Sequence, residues 1–142
     1  MKLYLAPLEG ITNHIYRKAL YECFGGFDKY FIPFIRAKQN LNFSGREKKD
    51  IDPENNQGMY AVPQILTRNA EDFLRTASQL AGLGYREINL NLGCPSKTVV
   101  TKGCGAGFLE RPDELECFLD HIFLFWHSIH KKKQDLFLFF LV

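Results

Sequence analysis

The chain has 142 residues, 46% hydrophobic and 24% charged, with a formal net charge of +2, which suits one soluble domain with a sizeable core. So small a charge excludes nucleic-acid binding as an inference from charge alone, and no stretch approaches the roughly 18 apolar residues of a membrane span. Cys23, Cys94, Cys104 and Cys117 show neither CxxC pairing nor zinc-ligand spacing, and Met1 leads straight into a strand-like segment without a signal peptide. A reducing, cytoplasmic setting is therefore expected.

In chain order, Lys2–Pro7 reads as a buried strand. Thr12 is expected to cap a helix with Ile15, Ala19, Leu20 and Cys23 on one face, ended by Gly25-Gly26. Tyr30–Ile35 is a second apolar strand, interrupted by Pro33. Arg36 to Gly58 is polar and shows no convincing period, and so long a connection is usually functional or mobile. Tyr60–Leu66 is a third strand. Asn69 caps a helix with Ala70, Phe73, Leu74, Ala77, Leu80 and Ala81 inward, closed by Gly82 and Gly84. Tyr85–Asn91 is a fourth strand. Pro112, Asp113 and Glu114 open a helix running to about Phe125, and Leu136–Val142 reads as a fifth strand.

Strands alternating with helices imply right-handed crossovers and a parallel α/β sheet. An open doubly wound sheet and a (β/α)8 barrel both remain compatible with this order. In either, functional residues belong just past the strand C-terminal ends, where Pro7, Gln64 and Asn91 to Cys94 fall. A whole barrel takes about 250 residues; this chain supplies roughly half.

The most informative stretch is Asn91-Leu92-Gly93-Cys94-Pro95-Ser96-Lys97, running on to Gly103-Cys104-Gly105-Ala106-Gly107. A cysteine between glycine and proline after a strand is held by stiff backbone and can face a cleft. A lone cysteine is more often simply buried. Gly103, Gly105 and Gly107 resemble part of a dinucleotide fingerprint, but no helix is expected immediately after them, so they more readily shape a substrate loop. Lys97 and Lys102 suit phosphate contact better than idle solvation. Gln64 and Asn91 also have plain readings, as a strand end and a turn residue. Cys23 and Cys117 are expected in the core and Cys104 as a small structural thiol. His14, His121, His127 and His130 form no metal-like set.

Three segments resemble the flavin-dependent tRNA-dihydrouridine synthases: Leu5-Ala6-Pro7-Leu8-Glu9-Gly10-Ile11-Thr12, Val62-Pro63-Gln64-Ile65, and the cysteine loop. In the first, methionine is commoner in the family at the place of Leu8. The likeness covers about Lys2 to Ile122. It implies the N-terminal half of a TIM barrel that binds FMN at its strand C-terminal mouth and reduces the 5,6 double bond of uridine in tRNA, with NADPH as reductant. By position it implies Cys94 as the proton donor, Asn91 as a uracil-binding side chain, Pro7, Leu8 and Glu9 along the flavin through their backbone, and Gln64 at the isoalloxazine edge. Lys97 and Lys102 would serve the substrate, and no metal is implied. A small-molecule FMN barrel and an inactive fragment are the alternatives.

The resemblance ends where the pattern changes. Residues 1–123 are expected to form the half barrel, and residues 124–142, with Lys131-Lys132-Lys133 and a phenylalanine-rich end, an aberrant or truncated tail. On this resemblance the family's later strands, which hold the flavin phosphate, and its helical tRNA-binding domain are expected to be absent from these residues.

Overall fold

Apolar strands with a two-residue period and helices with side-chain caps alternate along the chain. The computed structural model describes residues 1–37, 42–129 and 137–141. The order is β1 (Tyr4–Leu5), α1 (His14–Cys23), β2 (Lys29–Arg36), α2 (Gly45–Ile51), a 3-10 turn at Pro53–Asn56, β3 (Ala61–Leu66), α3 (Ala70–Gly82), β4 (Glu87–Asn91), α4 (Lys97–Val100), a second 3-10 turn at Gly105–Phe108, α5 (Pro112–Ile129) and β5 (Phe137–Leu141).

Neighbouring strands are all parallel, and their spatial order is β1-β2-β3-β4-β5. A doubly wound sheet reverses its order at a switch point; this one never does. Right-handed crossovers that always step the same way put every helix on one face. That is the wall of a (β/α)8 barrel, so the structure selects the barrel over the open sheet. The fold is the N-terminal part of a barrel, with barrel closure not visible in this chain.

The outer face of the sheet carries the core. Ile65, Ile88 and Leu90 meet Phe73, Leu74, Ala77 and Leu80 of α3 and Phe118 and Ile122 of α5, all buried. Phe118 packs edge-on against Phe73 and Phe108, with centroids 5.8 and 5.4 Å away, the preferred offset for aromatic quadrupoles. The alternate residues of β4, Glu87, Asn89 and Asn91, are polar yet also buried, so they point to the other face, the barrel interior. There Lys29 Nζ reaches both Glu87 carboxylate oxygens at 2.7 Å, tying β2 to β4 across β3.

Several expectations are corrected. β1 is two residues long rather than Lys2–Pro7, and it is not buried; among the described residues it is an edge strand paired with β2 alone. Asn13, not Thr12, caps α1, accepting from the Tyr16 N–H, while the Thr12 hydroxyl accepts from the Leu8 N–H at 2.8 Å. The apolar face assigned to α1 does not face the core: Ile15 is 66% exposed, and Ala19 and Cys23 are exposed as well. The helix instead buries Arg17, because it packs mainly on α2 and the first 3-10 turn and meets the sheet through the edge-on Tyr21–Tyr30 pair. Cys117 likewise lies on the solvent side of α5.

The segment taken as patternless holds α2, and its start is written in the sequence. Ser44 and Glu47 form a reciprocal capping box, the S-x-x-E signature of a helix start. Arg17 secures this segment, donating to the Thr12 carbonyl at 2.7 Å, the Asp50 carbonyl at 2.7 Å and Asn56 Oδ1 at 2.9 Å. Pro33 sits within β2, and the register with β3 slips between Ile32 and Ile35, where proline removes a ladder donor. α5 runs past Phe125 to Ile129 and so crosses residue 124 without a break. The lysine run 131–133, His130 and the ends of the fifth predicted strand, Leu136 and Val142, lie outside the described residues.

Candidate active site at the strand C-terminal mouth

β3 and β4 are in register at Gln64 and Asn89, so their amides meet inside the sheet. Gln64 Nε2 donates to Asn89 Oδ1 at 2.6 Å, and Asn91 Nδ2 donates to Gln64 Oε1 at 2.7 Å. Asn91 Oδ1 then accepts the Cys94 N–H at 3.0 Å. Gln64 and Asn91 are 2% and 7% exposed; buried amides need such partners, because an unpaired one costs about 1–3 kcal/mol. The result is a run of side-chain bonds from β3 through β4 to the cysteine loop.

The loop also grips Cys94 from its other side. The Ala106 N–H donates to the Cys94 carbonyl at 3.1 Å. Gly105, at φ +57°, lies so close that a Cβ there would stand 2.7 Å from that carbonyl oxygen and 2.8 Å from Val99 Cγ1. The Cys94 backbone is thus pinned by Asn91 before it and Gly105-Ala106 after it, and its thiol is half-buried and unoxidised. Gly105 thus sets the close approach of the loop to the Cys94 backbone. Two short elements within it were not foreseen, α4 and the second 3-10 turn.

Gln64, Asn91 and Cys94 are therefore brought into one network. Pro7, Leu8 and Glu9 follow β1, at the edge of the same mouth. The Leu8 carbonyl accepts from the Ile11 and Thr12 N–H groups at 3.1 and 3.0 Å, forming a tight turn that leaves Leu8 and Glu9 exposed. Glu9 lines a cavity of about 160 Å³ with Pro33, Arg36, Arg46 and Asp50. Lys97 opens α4 and Lys102 lies farther along the loop; both are exposed, outside the amide network.

Three residues the sequence reading passed over belong to this mouth. Asn89 orients Gln64; its signal was the polar i, i+2, i+4 pattern of Glu87, Asn89 and Asn91 in a strand otherwise read as apolar. Arg36 and Arg68 lie at the ends of β2 and β3 and act on Cys104. Burial pushes the Cys104 thiol up from its ordinary value, while Arg68, Arg36 and Lys102 pull the other way. Among the described residues no histidine, cysteine or carboxylate cluster suits a metal, and no helix is long and apolar enough to cross a membrane.

With this geometry in hand, comparison with known proteins is specific. The dihydrouridine synthase (Dus) family matches residues 4–122. The chain is 34% identical over 120 residues to a tRNA-dihydrouridine(16) synthase of Cupriavidus necator, covering 80% of this chain and 37% of that protein. It is 33% identical over 112 residues to a probable tRNA-dihydrouridine synthase of Staphylococcus aureus strain COL, covering 77% and 33%. The parallel barrel wall that carries the pinned cysteine thus lies within a dihydrouridine synthase (Dus) domain. The chain belongs to the dihydrouridine synthase family, and it spans about a third of the length of these relatives.

Proposed function

We propose that this chain carries the catalytic-cysteine half of an FMN-dependent tRNA-dihydrouridine synthase, a cytoplasmic enzyme that reduces the 5,6 double bond of uridine in tRNA with NADPH as the ultimate reductant. The observation that carries the reading is the bonded run Gln64–Asn91–Cys94, which fixes a half-buried thiol at the mouth of the sheet. The residues present fit the ring end of a flavin. Gln64 spends one Nε2 proton on Asn89 and keeps a second, a donor suited to a polar heterocycle edge. Pro7, Leu8 and Glu9 border the same mouth. When bound and reduced, FMN supplies the hydride.

The chain's own residues do the rest. Reduction at C6 drives the electron pair of the double bond onto C5 and the O4 carbonyl. A thiol over C5 gives up its proton there, a C–H bond forms, and the S–H bond breaks to leave a thiolate that solvent reprotonates. Acid help of this kind is worth about a hundred- to ten-thousandfold. Asn91 holds the Cys94 backbone and turns its remaining amide proton to the base. The target uridine leaves its stack to enter, as other modified bases do.

The test begins with flavin absorbance of the purified 142-residue chain, followed by NADPH-dependent dihydrouridine formation on tRNA. In the active protein, Cys94→Ala should lower turnover at least a hundredfold while flavin absorbance stays unchanged. Turnover equal to wild type in Cys94→Ala would remove the cysteine from the mechanism. A colourless wild-type chain without activity would instead support the second reading, a fragment that carries the site but does not turn over.

A further inference from the structure

We propose that Arg36, Arg68 and Lys102 form a phosphate-binding rim that takes a phosphodiester of the RNA strand beside the nucleotide presented to Cys94. The inference rests on the tRNA reading above and names how the strand itself is held. Three successive strand ends each contribute one cation to the mouth: Arg36 closes β2, Arg68 follows β3 by two residues, and Lys102 lies on the loop after β4. The loop joins them to the cysteine, because Lys102 to Cys104 lead directly into Gly105-Ala106, the pair that clasps the Cys94 backbone.

Gly103 shows how tightly the cationic side chains gather. A Cβ built on it would stand 3.3 Å from Arg111 Nε and 3.5 Å from Arg68 Cδ, so a glycine here admits both arginine stems over the loop. The acidic neighbours already have partners of their own or are exposed. Glu114 lies 3.5 Å from Arg68 and 3.0 Å from Arg111, with all three side chains about half exposed. Exposed pairs of this kind contribute about 0–1 kcal/mol and exchange readily. Glu9, Glu47 and Asp50 share the cavity that Arg36 and Arg46 line, Glu47 being held by its capping box and Asp50 by His14 and Arg17. Arg36 stacks over the Phe34 ring at 5.3 Å, and neither it nor Lys102 has an ion-pair partner among the described residues. Arg68, Arg36 and Lys102 all act against the burial that raises the Cys104 thiol, in keeping with their place at three successive strand ends of the mouth.

Phosphate is also part of mononucleotide cofactors. A phosphate held by a closed cradle of backbone N–H groups is the usual cofactor arrangement. Here the cations are long, partly exposed side chains spread over three loops, the form of a groove that tracks a single strand.

The experiment measures tRNA affinity of the 142-residue chain by fluorescence anisotropy from 50 to 300 mM salt, comparing wild type with Arg36→Gln, Arg68→Gln and Lys102→Gln. Arg86→Gln, at the opposite end of β4, is the control, and urea midpoints confirm that each variant folds. Each rim substitution should weaken binding about 3- to 10-fold at low salt and flatten the log K against log salt slope by about 0.7–1, whereas Arg86→Gln should change neither. Bound tRNA should also slow alkylation of Cys104 in wild type and lose that effect in Arg68→Gln. Wild-type binding with rim variants indistinguishable from Arg86→Gln would overturn the rim and leave the tRNA reading standing. No salt-dependent tRNA binding by wild type would overturn both. If saturating FMN erased the difference between wild type and Arg68→Gln, the rim would belong to the flavin phosphate, and the RNA assignment would fall.

Discussion

Gly105 is where the cysteine loop is most sensitive to a single methyl group. Its φ of +57° is the left-handed region, and an added Cβ would stand 2.7 Å from the Cys94 carbonyl oxygen and 2.8 Å from Val99 Cγ1. Neither atom is the tip of a flexible chain: one is backbone that also accepts the Ala106 N–H, the other a methyl of a buried valine. Gly105→Ala therefore carries two penalties. The left-handed backbone costs an alanine roughly 1–2 kcal/mol, and overpacking a close-packed site adds about 1–3 kcal/mol. The expected loss is about 3 kcal/mol. Two companion variants separate the contributions. Gly84, at φ +95°, has nothing within 4 Å of a built Cβ, so Gly84→Ala should lose only the backbone share of about 1–2 kcal/mol. Gly45, with neither positive φ nor a neighbour, should tolerate alanine or gain up to about 1 kcal/mol as a helix residue. Urea unfolding at constant m-value reads all three. The rate of Cys94 alkylation should change only in Gly105→Ala. If Gly105→Ala and Gly84→Ala lost the same stability, the clasp on Cys94 would not be the tight contact described.

Arg17→Met should destabilise the chain by about 3 kcal/mol in the same assay, because it strands the Thr12 carbonyl and Asn56 Oδ1, takes one donor from the Asp50 carbonyl and removes the buried cation 3.8 Å from the Asp50 carboxylate; a loss under 1 kcal/mol would refute the network. Asn91→Asp keeps the acceptor for the Cys94 N–H but sets a carboxylate oxygen against Gln64 Oε1. It should cost about 2 kcal/mol, whereas Asn91→Ser, losing reach but adding no charge, should cost less. Tyr85 donates to the Ile51 carbonyl at 2.9 Å, and burial pushes its phenol up to about 12. The unfolded tyrosine ionises near 10, so the unfolded state loses its proton first, and the Tyr85 contribution, complete below pH 10, should decline between about pH 10 and 12. Urea midpoints across that window should fall more steeply for wild type than for Tyr85→Phe; parallel slopes would contradict the assignment. Iodoacetamide at pH 8 should label exposed Cys23 and Cys117 well before Cys104, whose thiol is half-buried and pushed up by that burial.

What the sequence determined by itself is local. Asn69 accepts from the Asp72 N–H as an N-cap should, Gly25 and Gly26 take positive φ after α1, and β3, α3 and β4 fall within a residue or two of their patterns. Caps, turns and hydrophobic periods are properties of a few consecutive residues, and the cysteine loop is likewise continuous, which is why it was legible. The period of α1 said which residues share a face, not which neighbour that face meets. Only the tertiary structure turned Ile15 and Cys23 outward and buried Arg17, since the partners of Arg17 lie 33 and 39 residues away at Asp50 and Asn56. The same distance in sequence hid the roles of Asn89 and Arg68, one joining Gln64 from 25 residues off and the other meeting Gly103 across two loops. The choice between an open sheet and a barrel wall was also tertiary. A strand's apolar pattern is satisfied by any parallel neighbour, and only the unreversed order β1 to β5 shows on which side each crossover places its helix.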